Sequence, residues 1–134
     1  MRIYLTHCSK EKDPVFKELG NTATPDQLYT ETGIQQFMSR CKAVGVNWAV
    51  LSDLYGVFQS DEQYEWYEKH PDTVLPDEEE IIIQEFDRKL NQYDEILFYI
   101  RPESFHPFYA RVLKRTMLAD RVQTFENLEL IKSL

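Results

Sequence analysis

Arg2-Ile3-Tyr4-Leu5-Thr6-His7-Cys8-Ser9-Lys10-Glu11-Lys12 is the stretch on which the reading of this chain turns. A short apolar run stops abruptly in a dense cluster of reactive and hydrogen-bonding side chains. Residues 3–6 read as a buried first strand, rich in β-formers. In an open α/β sheet, ligands bind outside the carboxyl ends of the strands. A strand that ends at Cys8 and Ser9 thus puts its chemistry where such a fold presents a site.

Working outward, residues 10–29 form a long polar connection with turn formers at Asp13-Pro14, Gly20-Asn21 and Pro25. Connections of this length are functional or irregular. Residues 30–44 read as a helix, because Ile34, Phe37, Met38, Cys41 and Val44 fall on one apolar stripe. Gly45 supplies its left-handed C-terminal cap. Residues 46–51 read as a second strand, covered on both faces. Ser52-Asp53-Leu54-Tyr55-Gly56 breaks that strand. Residues 57–75 lack a clean period and carry Phe58, Tyr64, Trp66 and Tyr67, so they read as an excursion over the carboxyl edge of the sheet.

A helix is expected over residues 76–92, opened by Pro76-Asp77-Glu78-Glu79-Glu80, since acids stabilise a helix N-terminus. Residues 95–100 read as a third strand, 107–118 as a third helix and 122–125 as a fourth strand, with a turn at 128–131. Alternating strands and helices imply right-handed crossovers and a mostly parallel sheet. The fold expected is α/β: a single three-layer domain over residues 1–134, with about four strands and helices on both faces. The first strand is expected at the centre, beside the topological switch.

Composition narrows the function classes. A chain of 134 residues, 43% of them apolar, has enough material for a real core, which excludes general disorder. The net charge of −8 disfavours direct binding to a nucleic-acid backbone. Much of the acid lies in 61–68 and 72–80, whereas the stretch around Lys10, Lys12 and Lys17 is more balanced. Two cysteines, Cys8 and Cys41, suit a reduced, cytoplasmic protein better than a disulfide scaffold. A secretory leader and a membrane span are not expected, because no apolar run approaches about 18–20 residues.

The topology gathers three strand ends at one edge. The first delivers His7, Cys8, Ser9 and Lys10; the second Ser52, Asp53, Tyr55 and Gly56; the third Tyr99, Arg101, Glu103 and Ser104. Cys8 beside His7, Lys10 or Lys12 would have a lowered pKa and act as a nucleophile, with Asp53 as the alternative nucleophile or base. The plainer reading is that Cys8 is a small buried residue finishing a strand. Ser9, Lys10, Lys12 and Arg101 suit an anionic group, and Ser52, Tyr55 and Gly56 suit a turn that aims hydroxyls into a cleft. Neither a phosphate-binding P-loop nor a G-x-G-x-x-G fingerprint occurs. His7, His70 and His106 lack metal-ligand spacing with the cysteines, so no metal is expected, and no cofactor motif is present.

Two segments carry a resemblance. The strand followed by Cys8-Ser9-Lys10-Glu11-Lys12 resembles the strand-CSKKK opening of a family of small, uncharacterised prokaryotic α/β domains. Leu51-Ser52-Asp53-Leu54-Tyr55-Gly56-Val57 resembles that family's LSAKYGL block, with Leu54 where the family usually carries lysine. The tyrosine-rich stretch at 64–67 sits where members carry an acidic and aromatic loop. More distantly, Cys8-x-x-x-Lys12 resembles the core motif of archaeosine synthase-type enzymes, which act on a deazaguanine base in tRNA. Here His7 replaces a proline of that motif, and Asp13-Pro14 replaces Pro-Tyr. Some domains of this type are similar to the uracil-DNA-glycosylase-like fold. What the resemblance implies is a nucleobase- or nucleotide-like ligand.

Two readings follow. In the first, the chain binds or acts on such a ligand at the strand ends, with Tyr55 or Trp66 stacking on the ring. In the second, it is a non-catalytic, acidic protein-interaction domain whose residues 61–80 face a basic partner. An exposed sheet edge leaves a homodimer open in either case.

Overall fold

A computed structural model describes residues 1–133. The central strand is β1 (Arg2–His7), with every residue from Ile3 to His7 buried. Its parallel neighbours are β3 (Trp48–Ser52) and β6 (Glu95–Tyr99); Thr6 lies opposite Val50 on one side and Tyr99 on the other. β7 (Val122–Phe125) runs parallel to β6, at one edge. β4 (Gly56–Gln59) runs antiparallel to β3 at the other edge, which gives the order β4-β3-β1-β6-β7. The sheet therefore has five strands rather than about four. The extra strand hides in the aromatic stretch after Gly56. It is four residues long, and Gly56, Val57 and Phe58 are all buried, so no two-residue alternation marks it.

Helices cover both faces. α2 (Thr32–Val44) connects β1 to β3, and its Phe37 ring stacks on Tyr99 at 5.8 Å. α4 (Pro107–Arg115) connects β6 to β7, and its Tyr109 ring lies 5.0 Å from His7. His7 also stacks on Phe98, at 6.3 Å. Phe98 and Tyr99 are consecutive in β6 and point to opposite faces, so α2 and α4 lie on opposite sides of the sheet. α3 (Pro76–Leu90) packs against β4 and beside α4, where Glu79 pairs with Arg111 and Arg115. The connections from β1 and β6 leave in opposite directions, so the topological switch lies beside β1, between it and β6, as expected.

The helix ends differ from the sequence reading for identifiable reasons. α2 starts at Thr32 because Glu31 serves as its N-cap, accepting from the Gly33 amide at 2.7 Å. α4 stops at Arg115, three residues short of the apolar pattern. Thr116 leaves helical geometry and its hydroxyl bonds to Asp87 of α3, which also accepts from the Met117 amide at 3.1 Å. The long 10–29 connection holds a two-residue strand, β2 (Thr22–Ala23), and a short helix, α1 (Pro25–Leu28). β2 pairs antiparallel with β5 (Tyr64–Glu65), joining this connection to the aromatic excursion. Among the described residues, no helix is long and apolar enough to cross a membrane.

Gly56 closes the turn from β3 to β4 with φ at +70°, a conformation that a side chain disfavours. A Cβ there would meet α3 at ordinary contact distance, 3.6 Å from the nearest atom, so backbone conformation alone sets the penalty. Gly56→Ala is expected to lower stability by about 1–2 kcal/mol, read from urea denaturation, with little change in slope.

Candidate functional site

The carboxyl end of β1 delivers Cys8 to the floor of an open cleft of about 1130 Å³. The Cys8 amide donates to the Leu51 carbonyl at 2.9 Å, so the chain is still held against β3 as it leaves the strand. Cys8 Sγ lies 3.1 Å from the Tyr109 hydroxyl and donates to Asp53 Oδ1 at 3.7 Å. All three residues are buried and all three line the cleft. The floor thus joins a thiol from β1, a carboxylate from the turn after β3 and a phenol from α4.

Burial sets the electrostatics of this floor. It pushes the Cys8 thiol up to about 11, and the Asp53 carboxylate opposes ionisation further. Burial raises Asp53 itself, with the Lys12 ammonium as the main opposing influence. Burial also lowers Lys12, countered by the nearby acidic groups, including Asp53 and Glu68. The sign is opposite to the sequence expectation, in which neighbouring cations lowered the thiol. Lys12 lies 4.3 Å from the centre of the Tyr67 ring, and His7 is neutral and faces the aromatic layer beneath α4. Cys8 is therefore a protonated thiol at neutral pH rather than a ready nucleophile.

Ser52 is fully buried behind this floor. Its Oγ accepts from the amides of Leu54 at 3.1 Å and Tyr55 at 3.0 Å, and lies 2.9 Å from the Tyr67 hydroxyl. Tyr67 in turn meets Tyr29 at 2.7 Å. Tyr55 stacks on Tyr64 at 4.4 Å and donates to the Glu65 carbonyl at 2.8 Å. Ser52, Tyr55 and Gly56, expected in the cleft, instead hold the turn that carries Asp53. Their side chains are already engaged, and Gly56 lies against α3.

Arg101 has a similar positioning role. Its guanidinium, 9% exposed, pairs with Glu31 and donates to the His7 carbonyl, the Cys8 carbonyl at 3.4 Å and His7 Nδ1 at 2.9 Å. The group expected to grip a ligand anion instead ties the ends of β1 and β6 to the start of α2.

Of the residues singled out in the sequence, Cys8, Ser9, Lys10, Lys12 and Asp53 do line the cleft. Ser9 Oγ donates to the Glu11 carbonyl at 3.3 Å, and Lys10 is exposed. Lys17 and Lys69 join Lys10 and Lys12, with Glu11, Glu31, Asp53 and Glu68 as the acids. The lining is thus charge-balanced in a chain of net charge −8. Trp66 forms part of the wall, with Lys17 Nζ 4.7 Å from its ring centre.

Sequence reasoning missed Tyr109, Tyr29, Glu31 and a second cluster at the cleft mouth. There His70, Asp72 and His106 bring three ligand-type atoms within 4.8 Å of one another. No spacing rule finds this group, because His106 arrives from the loop after β6. Comparison with protein-family models, curated proteins and solved structures finds no match for this chain.

Two expectations test the floor. Native protein at pH 7.5 should react slowly with a thiol reagent, because Cys8 and Cys41 are both buried and both held protonated by burial. Full reaction of two thiols is expected only in denaturant, and Asp53→Asn should move the Cys8 alkylation midpoint below about 11 by removing the opposing charge. His7 is held down to about 3, by burial first and the Arg101 charge second. Between that value and its unfolded pKa of about 6.5, the unfolded chain binds the extra proton, so stability is lost as pH falls. Stability measured by urea titration should decline by about 4 kcal/mol from this residue across that range. A His7→Asn variant should lack that component of the decline.

Proposed function

We propose that this chain binds a nucleobase- or nucleotide-like ligand in the cleft at the strand ends. The observation that carries the reading is Asp53, a buried carboxyl on the floor of an open cleft whose rim bears four lysines. An ionised carboxylate only accepts hydrogen bonds, and it suits the adjacent N–H donors on the edge of a heterocyclic base. Trp66 in the wall offers a flat face, and base–aromatic stacking contributes about 1–3 kcal/mol per base. Lys10 and Lys12 suit a phosphate or other anionic group as point charges, with Lys17 beside Trp66 and Lys69 paired to Glu78 nearby. The resemblance of the Cys8–Lys12 and Leu51–Val57 motifs points the same way.

The acidic-interaction reading draws less support. Much of the charge in 61–80 is used internally: Glu62 pairs with Lys89, Glu78 with Lys69, Glu79 with Arg111 and Arg115, and Glu80 with Arg115. Carboxylates held this way present a weaker field to a basic partner.

The test is thermal denaturation against nucleobases, nucleosides and nucleotides, with a metal chelator present throughout. A ligand at a hundred times its dissociation constant adds about 2.7 kcal/mol, a shift of several degrees. Asp53→Asn is expected to weaken the best ligand at least about tenfold, the loss of one charge-assisted hydrogen bond. Lys12→Met should weaken nucleotides more than the matching nucleosides. A panel without a hit, or binding indifferent to Asp53→Asn, would overturn the reading.

A further inference from the structure

We propose that His70, Asp72 and His106 form a binding site for a divalent transition metal of the zinc class at the mouth of the cleft. The three side chains come from two separate loops and meet around one carboxylate. His106 Nε2 lies 2.6 Å from Asp72 Oδ1, and His70 Nδ1 lies 3.3 Å from Asp72 Oδ2. The two imidazoles stand nearly perpendicular, at 87°, with their centres 5.9 Å apart. Two rings set across one carboxylate are the arrangement of a two-histidine, one-carboxylate donor set. Such N₂O donors suit zinc, cobalt and nickel far better than magnesium or calcium, which favour all-oxygen shells.

In the metal-free protein two cap hydrogen bonds hold the rings beside Asp72, and coordination exchanges them for bonds to the metal. His106 is the N-cap of α4, and its Nδ1 accepts from the Phe108 amide at 2.9 Å. His70 caps the short turn at Pro71–Thr73, and its Nδ1 accepts from the Asp72 amide at 3.1 Å. A simple ion pair needs one histidine; here a second is held in reach of the same carboxylate. Both histidines line the cleft, so coordination positions left by the three protein ligands open toward it.

The proton balance is explicit. In the metal-free protein His106 Nδ1 accepts a hydrogen bond, so its proton sits on Nε2 and faces Asp72. Coordination through Nε2 moves that proton to Nδ1 and breaks the bond that the Phe108 amide donates there. His70 coordinates through the Nδ1 lone pair that now meets the Asp72 amide, and keeps its proton on Nε2. Metal binding therefore leaves a signature at two backbone amides, Phe108 and Asp72, that an adventitious surface ion would not produce.

The experiment is titration of the purified chain with zinc chloride against a chromogenic chelator, with no nucleotide present. One equivalent of zinc is expected per chain. His70→Asn and His106→Asn should each weaken it about tenfold or more, as losing a ligand costs at least what losing a supporting contact does. Asparagine preserves the caps, so these variants keep the local fold, which far-ultraviolet circular dichroism checks. In ¹⁵N-resolved spectra of the wild-type chain, the Phe108 and Asp72 amides should shift with zinc. Absence of stoichiometric zinc binding would overturn the proposal. So would binding that survives both asparagine variants, whether or not Cys8→Ser or Cys41→Ser then abolishes it. Because the ligand panel runs with chelator and this titration runs without nucleotide, either proposal can fail alone.

Discussion

One buried guanidinium holds the working end of this molecule together. Arg101 sits where β1, β6 and the start of α2 converge, and its partners are a carboxylate, two carbonyls and an imidazole nitrogen. Removing a charge from water is expensive, and the penalty is offset only when hydrogen bonds and an opposite charge surround it. Glu31 supplies the charge and also caps α2, so one carboxylate fixes both the helix start and the arginine. The position of Cys8 depends on this arrangement, since its own carbonyl is part of the cage. Breaking the pair from either side leaves an uncompensated charge against the sheet, a larger loss than the pair itself contributes.

Around that knot, the cleft floor is built from groups that are individually unremarkable and jointly unusual. A thiol, a carboxyl and a phenol share one small buried space, and burial favours the neutral form of each. Lys12 is the nearby cation that keeps Asp53 from drifting higher. A floor of this kind favours hydrogen bonding at Asp53 over attack by a resting thiolate. Behind the floor, Ser52, Tyr67 and Tyr29 form a hydroxyl chain that holds the Asp53 turn from below.

The fold was largely legible because long periodic segments speak plainly. The apolar stripe of α2, the acidic start of α3 and the buried run of β3 each declare one element. The fifth strand was not legible, since Gly56–Gln59 is short and buried at three consecutive positions. For the site, the sequence placed Cys8, Lys10, Lys12 and Asp53 at one edge, because strand ends can be read from where apolar runs stop. It overreached with Arg101, Ser52 and Tyr55, whose partners lie in other segments: Glu31 is 70 residues from Arg101. Tyr109 was invisible for a related reason: in a helix with Phe108, Val112 and Leu113 inward, one more aromatic reads as core. The His70–Asp72–His106 cluster needs two loops to meet, and no one-dimensional spacing encodes that.

The small ribbon formed by β2 and β5 has a consequence for how the cleft works. It stitches the long connection after β1 to the aromatic stretch before α3, while the Lys12–Tyr29 bridge closes the first of these upon itself. The segments carrying Lys12, Lys17 and Trp66 are thereby cross-braced rather than independent flaps. Their conformational entropy is surrendered when the chain folds, so a guest meets walls already preorganised and its contacts translate more fully into affinity. Substitutions at Thr22, Ala23, Tyr64 or Glu65, none of which lines the cleft, would then act on the proposed binding through order rather than contact.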